Sequence, residues 1–343
     1  MAARLLFRNA AITSGCPHVL ALAVVTAQMV LVGVPVTGAH AEDYPGRTVT
    51  IVAPAAPGGL YSLFARLIAV RLEQRFGKTF VVENRPGASS VVGALSLVRG
   101  SADGYTLMVA TSSTMATNVT LFKHLPYDPT VDLTPVALIA YVPEVLVVNA
   151  DLPVHSVADI AALAKATPGG LYFGSAGMGT SQHLGGEMLK AALGVELTHV
   201  PYKGMQPAIS DVAGGHIPMT FSPIAVALPL IQAGKLRPIG ISMARQVEAL
   251  PGVPPLSEVG VKDFDAATWF MLVAPGKTPA DIVAKLAHEL RVLGDDPDMR
   301  SEFNRLGLVP VVSPPPDELK RFVAAEIVRW GNVARRAGIA GME

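Results

Sequence analysis

An alternation of short apolar runs and helix-spaced segments, beginning at Arg47, constrains this chain most. "RTVTIVAP" has the length and β-branched content of one buried strand. "GLYSLFARLIAVRLEQRFG" follows, with Leu60, Leu63, Phe64, Leu67 and Ile68 at helical spacing and Gly77 as a stop. "TFVVENRPG" reads as strand and turn, "SSVVGALSLVRG" as a small-residue helix, and "GYTLMVAT" as a strand. Repeated strand–helix units of this length predict a parallel sheet with covering helices. The alternation resumes after Pro143 with "EVLVVN", then a helix capped by Ser156 with Asp159 three residues on. The strands "LYFGSA", "LTHVPY", "IPMTFS" and "LRPIGIS" follow, separated by helices, and make a second α/β unit. "TWFMLVAP" opens the tail. Its helix is expected to begin with Thr278 as cap, Pro279 at the first helical position and Asp281 as the capping-box acid. "PPDELKRFVAAEIVRWGNVARRAG" is a last long helix.

The first 41 positions read differently. Arg4 and Arg8 are the only charges before Glu42, "VLALAVVTAQMVLVGVPV" is mostly apolar, and Ala39-His40-Ala41 has the small-x-small form of a processing site. This is the pattern of a secretory leader cleaved after Ala41. An uncleaved anchor is the competing reading, because the apolar run approaches the ~18–20 residues of a membrane span. Cleavage removes Cys16, the only cysteine, and with it disulfides, thiolate catalysis and cysteine-based metal sites. Among all 343 residues, 27 basic groups balance 27 acids, with no basic stripe for nucleic acid and no polybasic segment for anionic lipid.

Three strand-to-helix turns carry candidate chemistry. The first spans Ala53–Ser62 and includes Pro57, Gly58, Gly59, Tyr61 and Ser62. The second, Ala110–Asn118, holds Thr111, Ser112 and Ser113. The third is "FGSAGMGTSQH", with Ser175, Gly177, Met178, Gly179, Thr180, Ser181, Gln182 and His183. Ligands of open α/β sheets bind outside the carboxyl ends of the strands, where free N–H groups and the helix dipole favour an anion. Any one such loop uses Gly and Ser simply to turn. Three together argue a pocket of neutral donors suited to a carboxylate. Tyr202, Ser222 and Trp269 are further candidates as walls. Lys203 could meet an anion, although a solvated surface lysine is the stronger reading, and core packing suits Trp269 and Phe270 equally well.

Enzyme signatures fail in detail. "GMGTSQ" has Gln182 where a dinucleotide fingerprint needs its third glycine. "GTSQH" lacks the second glycine of a nucleophile elbow, and His183 stands two residues from Ser181, a poor geometry for a base on one helix. No metal-ligand spacing and no phosphate loop occur. No catalytic residue, metal or cofactor is expected.

"YPGRTVTIVAPAAPGG", "VVENRPGA", "DGYTLMVATSST", "LPYDPTVDLTPVALIA", "GSAGMGTSQHL", "HVPYKG", "LPLIQAGKLRPIGIS" and "TWFMLVAP" occur in this order. Together they resemble the Bug-type extracytoplasmic solute-binding proteins of tripartite tricarboxylate transporters. The resemblance covers essentially the whole chain after the leader. It implies an α/β fold of the periplasmic binding protein type II, two α/β domains joined by two crossover strands with a ligand cleft between them. The implied divisions are 1–41 for the leader, 42–143 for the first part of domain 1, 144–266 for domain 2 and 267–343 for the return segment. It implies a monomeric, non-enzymatic periplasmic receptor for a small organic carboxylate, held mostly by backbone amides, hydroxyls and waters. Its partners would be the membrane subunits of such a transporter. A sensor serving a membrane signalling partner is the alternative, and a secreted hydrolase a more distant one.

The chain departs from that family at informative places. Ser62 stands where the first loop commonly has an aspartate, Ser222 where the strand often ends in one, and Met178 where a small or polar residue is common. Two acids that would meet a ligand ammonium are therefore missing. The expected ligand has no positive charge and an apolar body near Tyr61 and Met178.

Overall fold

A computed structural model describes Tyr44–Met342. The leader, its cleavage after Ala41 and Cys16 lie outside the described residues. The first half builds β1 (Val49–Ala53), α1 (Leu60–Phe76), β2 (Phe80–Asn84), α2 (Val91–Val98), β3 (Thr106–Thr111), α3 (Asn118–Leu121) and β4 (Leu133–Val142). The middle builds β5 (Glu144–Asn149), α4 (Val157–Ala166), β6 (Leu171–Ser175), α5 (Ser181–Leu193), β7 (Leu197–Pro201), α6 (Met205–Ala213), β8 (Met219–Pro223), α7 (Ile224–Gln232) and β9 (Leu236–Ile241). The tail adds β10 (Thr268–Pro275), α8 (Ala280–Asp295), α9 (Pro297–Arg305), β11 (Val309–Pro310) and α10 (Pro316–Arg336).

These strands form two mixed sheets, ordered β11-β4-β10-β3-β1-β2 and β7-β6-β8-β5-β9. β1, β2 and β3 run parallel, as do β6, β7 and β8, while β10 and β5 are antiparallel to their neighbours. The chain changes sheet at Pro143, between β4 and β5, and returns between β9 and β10. The two crossings touch. Glu144 N–H donates to Ser242 Oγ at 2.9 Å, Ser242 N–H to the Glu144 carbonyl at 2.8 Å, and Ala266 N–H to the Ser242 carbonyl at 2.8 Å.

The inner strands are mostly apolar because both sheet faces are covered, whereas the edge strands β2 and β7 alternate with exposed residues. In β1, Val49 and Ile51 join Phe64, Ile68 and Leu72 of α1, while Val52 faces Val91, Ala94 and Leu97 of α2. In β5, Val145 and Val147 pack with Ile209 and Val212 of α6, and Leu146 and Val148 with Leu184 and Leu189 of α5. This period-two division follows from the pleat.

β4 falls outside the alternation legible in the sequence, because Pro135 interrupts its run. The sheet admits that proline at a register shift against Val273 of β10. Ser156 caps α4, taking the Asp159 N–H at 3.1 Å. Thr278 does not cap α8, contrary to the sequence expectation. That helix begins at Ala280, the Pro279 carbonyl takes the Val283 N–H, and the buried Thr278 hydroxyl has no partner among the described residues. Among the described residues no helix is long and apolar enough to cross a membrane.

Candidate ligand-binding site

The segments that follow β1, β2, β3, β6 and β7 converge on one cleft of about 790 Å³. Pro54, Ala55 and Tyr61 come from the first, Pro86–Ser90 from the second, Ser113 and Asn118 from the third. Ala176, Met178, Gly179 and Thr180 come from the fourth, and Lys203 from the fifth. The cleft thus lies at the carboxyl ends of strands from both sheets, where backbone donors are free. Among its lining residues Lys203 alone is charged.

The turn after β6 is held from behind. Thr180 Oγ1 donates to the Gly177 carbonyl at 2.7 Å and caps α5 by taking the His183 N–H. Ser181 Oγ and Gln182 Nε2 both donate to Glu144 Oε1, at 2.8 and 2.7 Å. Gly179 N–H donates to His183 Nδ1 at 3.1 Å, and Ser175 Oγ takes the Gly177 N–H while lying 2.6 Å from His199 Nε2. Gly177 and Gly179 have φ of +132° and +70°, a backbone that glycine adopts without strain. These hydroxyls and imidazoles are therefore spent on shaping the turn. The first turn of α5, the His183 N–H excepted, keeps backbone N–H groups without intrahelical partners, with the helix dipole behind them.

Burial sets the titration of the turn's supports. It lowers His183 to about 3, with His199 adding repulsion, and lowers His199 to about 4. Both rings are neutral at pH 7. Their faces stack, and Phe173 lies against them.

Most hydroxyls of the other two turns are similarly committed, whereas Ser113 lines the cleft. Tyr61 Oη is shared with Thr111 Oγ1 at 2.8 Å and Ser90 Oγ at 3.2 Å, and Ser112 Oγ with Thr268 Oγ1 at 2.6 Å. The second turn is a π-helical segment, Ser113–Thr117, running into α3. Pro57, Gly58 and Gly59 are exposed and do not line the cleft, although Gly59 is the N-cap of α1.

Four more expected ligand contacts are placed away from the cleft lining. Ser62 is buried and takes a hydrogen bond from Asn84 Nδ2 at 2.7 Å. Ser222 is buried and donates to the Pro223 carbonyl. Tyr202 packs its ring by Gly174 and donates to Asp211 at 2.6 Å. Trp269 is wholly buried, its ring edge-on to Phe322 and its indole N–H on Glu326 Oε2 at 2.7 Å. In β10 the alternation that sends Phe270 to one core sends Trp269 to the other. Lys203 is exposed, as the sequence suggested, and also lines the cleft.

Two contributors escaped the sequence reading. The segment Ala88, Ser89, Ser90 carries positive φ at three successive non-glycine residues, +42°, +50° and +74°. Such backbone costs of order 1–3 kcal/mol per residue and clusters at binding sites. Its only sequence signal is the Pro86-Gly87 pair. Asn118 is buried beside the cleft, donating to the Ser89 carbonyl at 3.0 Å with Oδ1 unpartnered among the described residues.

The family model for the tripartite tricarboxylate transporter family receptor matches residues 64–339. The chain belongs to this family. It is 33% identical over 299 residues to Protein BugT of Bordetella pertussis, covering 87% of this chain and 91% of that protein. Among solved structures, R. palustris Rpa4515 with adipate is 38% identical with a TM-score of 0.80, covering 87% of this chain and 99% of that one. MatC from Rhodopseudomonas palustris with bound malate is 32% identical with a TM-score of 0.74, covering 84% and 99%. The family is one of receptors, not enzymes, and its fold is the two-domain α/β architecture described above.

Proposed function

We propose that this receptor captures a small carboxylate with an apolar body in the extracytoplasmic space and presents it to membrane subunits of a tripartite tricarboxylate-type transporter. The observation that carries the reading is the composition of the cleft. A helix N-terminus and one cation, Lys203, share the cleft with the neutral polar groups of Tyr61, Ser89, Ser90, Ser113 and Asn118 and with an apolar portion from Pro54, Ala55, Pro86, Ala88, Ala176 and Met178. That combination fits an anionic head and a hydrocarbon chain, and disfavours a ligand ammonium because no acid lines the cleft. Similarity to an adipate-bound and a malate-bound protein supports the same ligand class.

In this reading the carboxylate sits on the N–H groups of Thr180 and Ser181 at the start of α5 and on Lys203, and Tyr61 and Met178 flank the chain. The moving bodies are 42–143 with 267–343, and 144–266. They close on the ligand through its greater affinity for the closed state. The leader ending at Ala41 directs export, and the receptor acts as a monomer. Lys203→Gln tests the reading with little risk to folding, because the side chain is exposed. Adipate affinity should fall about tenfold and lose much of its salt dependence. Unchanged affinity and salt dependence would contradict it.

A further inference from the structure

Glu144 opens β5, at the point where the chain first leaves one sheet for the other. It is wholly buried. Oε1 accepts from Ser181 and Gln182, and Oε2 has no partner among the described residues. Its backbone is bonded in both directions to Ser242 of the second crossing. One residue therefore joins both crossings to the first turn of α5, whose entry residues Gly179 and Thr180 line the cleft.

The side chains that touch this carboxyl are neutral. The titratable groups on the surrounding elements are engaged elsewhere. His183 on α5 faces His199. Asp265 on the second crossing takes the Ala267 N–H, and Arg329 of α10 binds the Asp265 carbonyl. Arg237 of β9 binds the carbonyls of Ala150, Leu152 and Val154 in the segment after β5, Arg245 lies beyond Ser242, and β8 has no titratable residue. None of these forms an ion pair with Glu144 among the described residues. Burying a carboxylate without a counter-ion is costly, and such a group keeps its proton instead. Burial pushes Glu144 up to about 8, against the opposing pull of the Ser181 and Gln182 hydrogen bonds.

We propose that Glu144 is a positioning residue for carboxylate capture: as a neutral acid it anchors the entry turn of α5 to the crossing, and its ionisation lowers carboxylate affinity. This rests on the carboxylate-receptor reading above. The N-terminal dipole of α5 attracts the ligand anion. A negative charge one hydrogen bond behind Ser181 opposes that field in a dry region with little screening.

The test is adipate titration by calorimetry between pH 6 and 9.5, with wild type and Glu144→Gln. The amide keeps an acceptor for Ser181 and cannot ionise. Adipate keeps both charges over the compared interval, pH 7 to 9, since its carboxyls titrate well below pH 7. Wild-type affinity should fall about tenfold from pH 7 to 9, and the variant should hold its affinity over the same interval. Parallel profiles overturn the proposal. Thermal unfolding without ligand is the second readout: the wild-type midpoint should fall from pH 6 to 9 more steeply than that of Glu144→Gln. If adipate binds neither protein, the adipate-receptor reading fails. A differing unfolding profile then still supports the neutral acid, and coincident profiles overturn it.

Discussion

The imidazoles of His183 and His199 stack face to face, with 3.7 Å between centroids and 14° between planes. Behind the turn proposed to receive the carboxylate, such a pair invites the idea of a cationic site. Its surroundings rule that out near neutrality. His183 Nδ1 accepts the Gly179 N–H, which requires that nitrogen to be unprotonated, and burial lowers both rings. The pair is a neutral brace.

The brace makes the protein acid-sensitive. Both folded values, about 3 and about 4, lie below the unfolded value of 6.5. Unfolded chains therefore bind more protons between these limits. The stabilisation is complete above pH 6.5 and is lost as pH falls towards 4. Thermal midpoints measured from pH 7 to 4 should decline across this window. His199→Gln should move the His183 titration upward in NMR, because the neighbouring imidazole contributes to its depression.

Gly179 touches the opposite half of the molecule. A Cβ there would stand 2.2 Å from Leu121 Cδ2 of α3, in a backbone with φ of +70°. Gly179→Ala should wedge the two sides of the cleft apart. We expect a stability loss of roughly 1–3 kcal/mol in urea unfolding. Adipate affinity should fall about tenfold, since closure is opposed.

Both tryptophans of the chain end on one oxygen. Trp269 and Trp330 donate to Glu326 Oε2 at 2.7 and 3.0 Å, and Arg329 adds a bidentate pair. Glu326→Ala leaves two buried indole N–H groups without an acceptor. Chemical denaturation should show a loss of roughly 2–4 kcal/mol. Ligand affinity of the folded variant should be retained, because Glu326 lies outside the cleft lining.

The strand–helix alternation was legible because both faces of each sheet are covered, so "TVTIVA" and "EVLVVN" read as continuous apolar runs. The location of the cleft was legible for the same reason, since parallel strands place their following turns together. The division of labour inside those turns was not. Nothing in "GTSQH" says that Ser181 and Gln182 are spent on Glu144, a residue remote in sequence. Period-two alternation sends Trp269 away from the cleft, but only the sheet order shows which face is which. The left-handed Ala88–Ser90 segment is set by tertiary contacts rather than by residue type. Glu144 did leave a trace, as one acid at the head of an apolar strand.

The central claim is that the cleft holds an uncharged-bodied carboxylate by its anionic end. The direct measurement is calorimetric titration of the purified protein with adipate and, separately, with its diamide at pH 7. The account predicts saturable binding of adipate and at least a hundredfold weaker binding of the diamide, a difference of about 2.7 kcal/mol or more. Equal affinity for both, or saturable binding of the diamide alone, would contradict it.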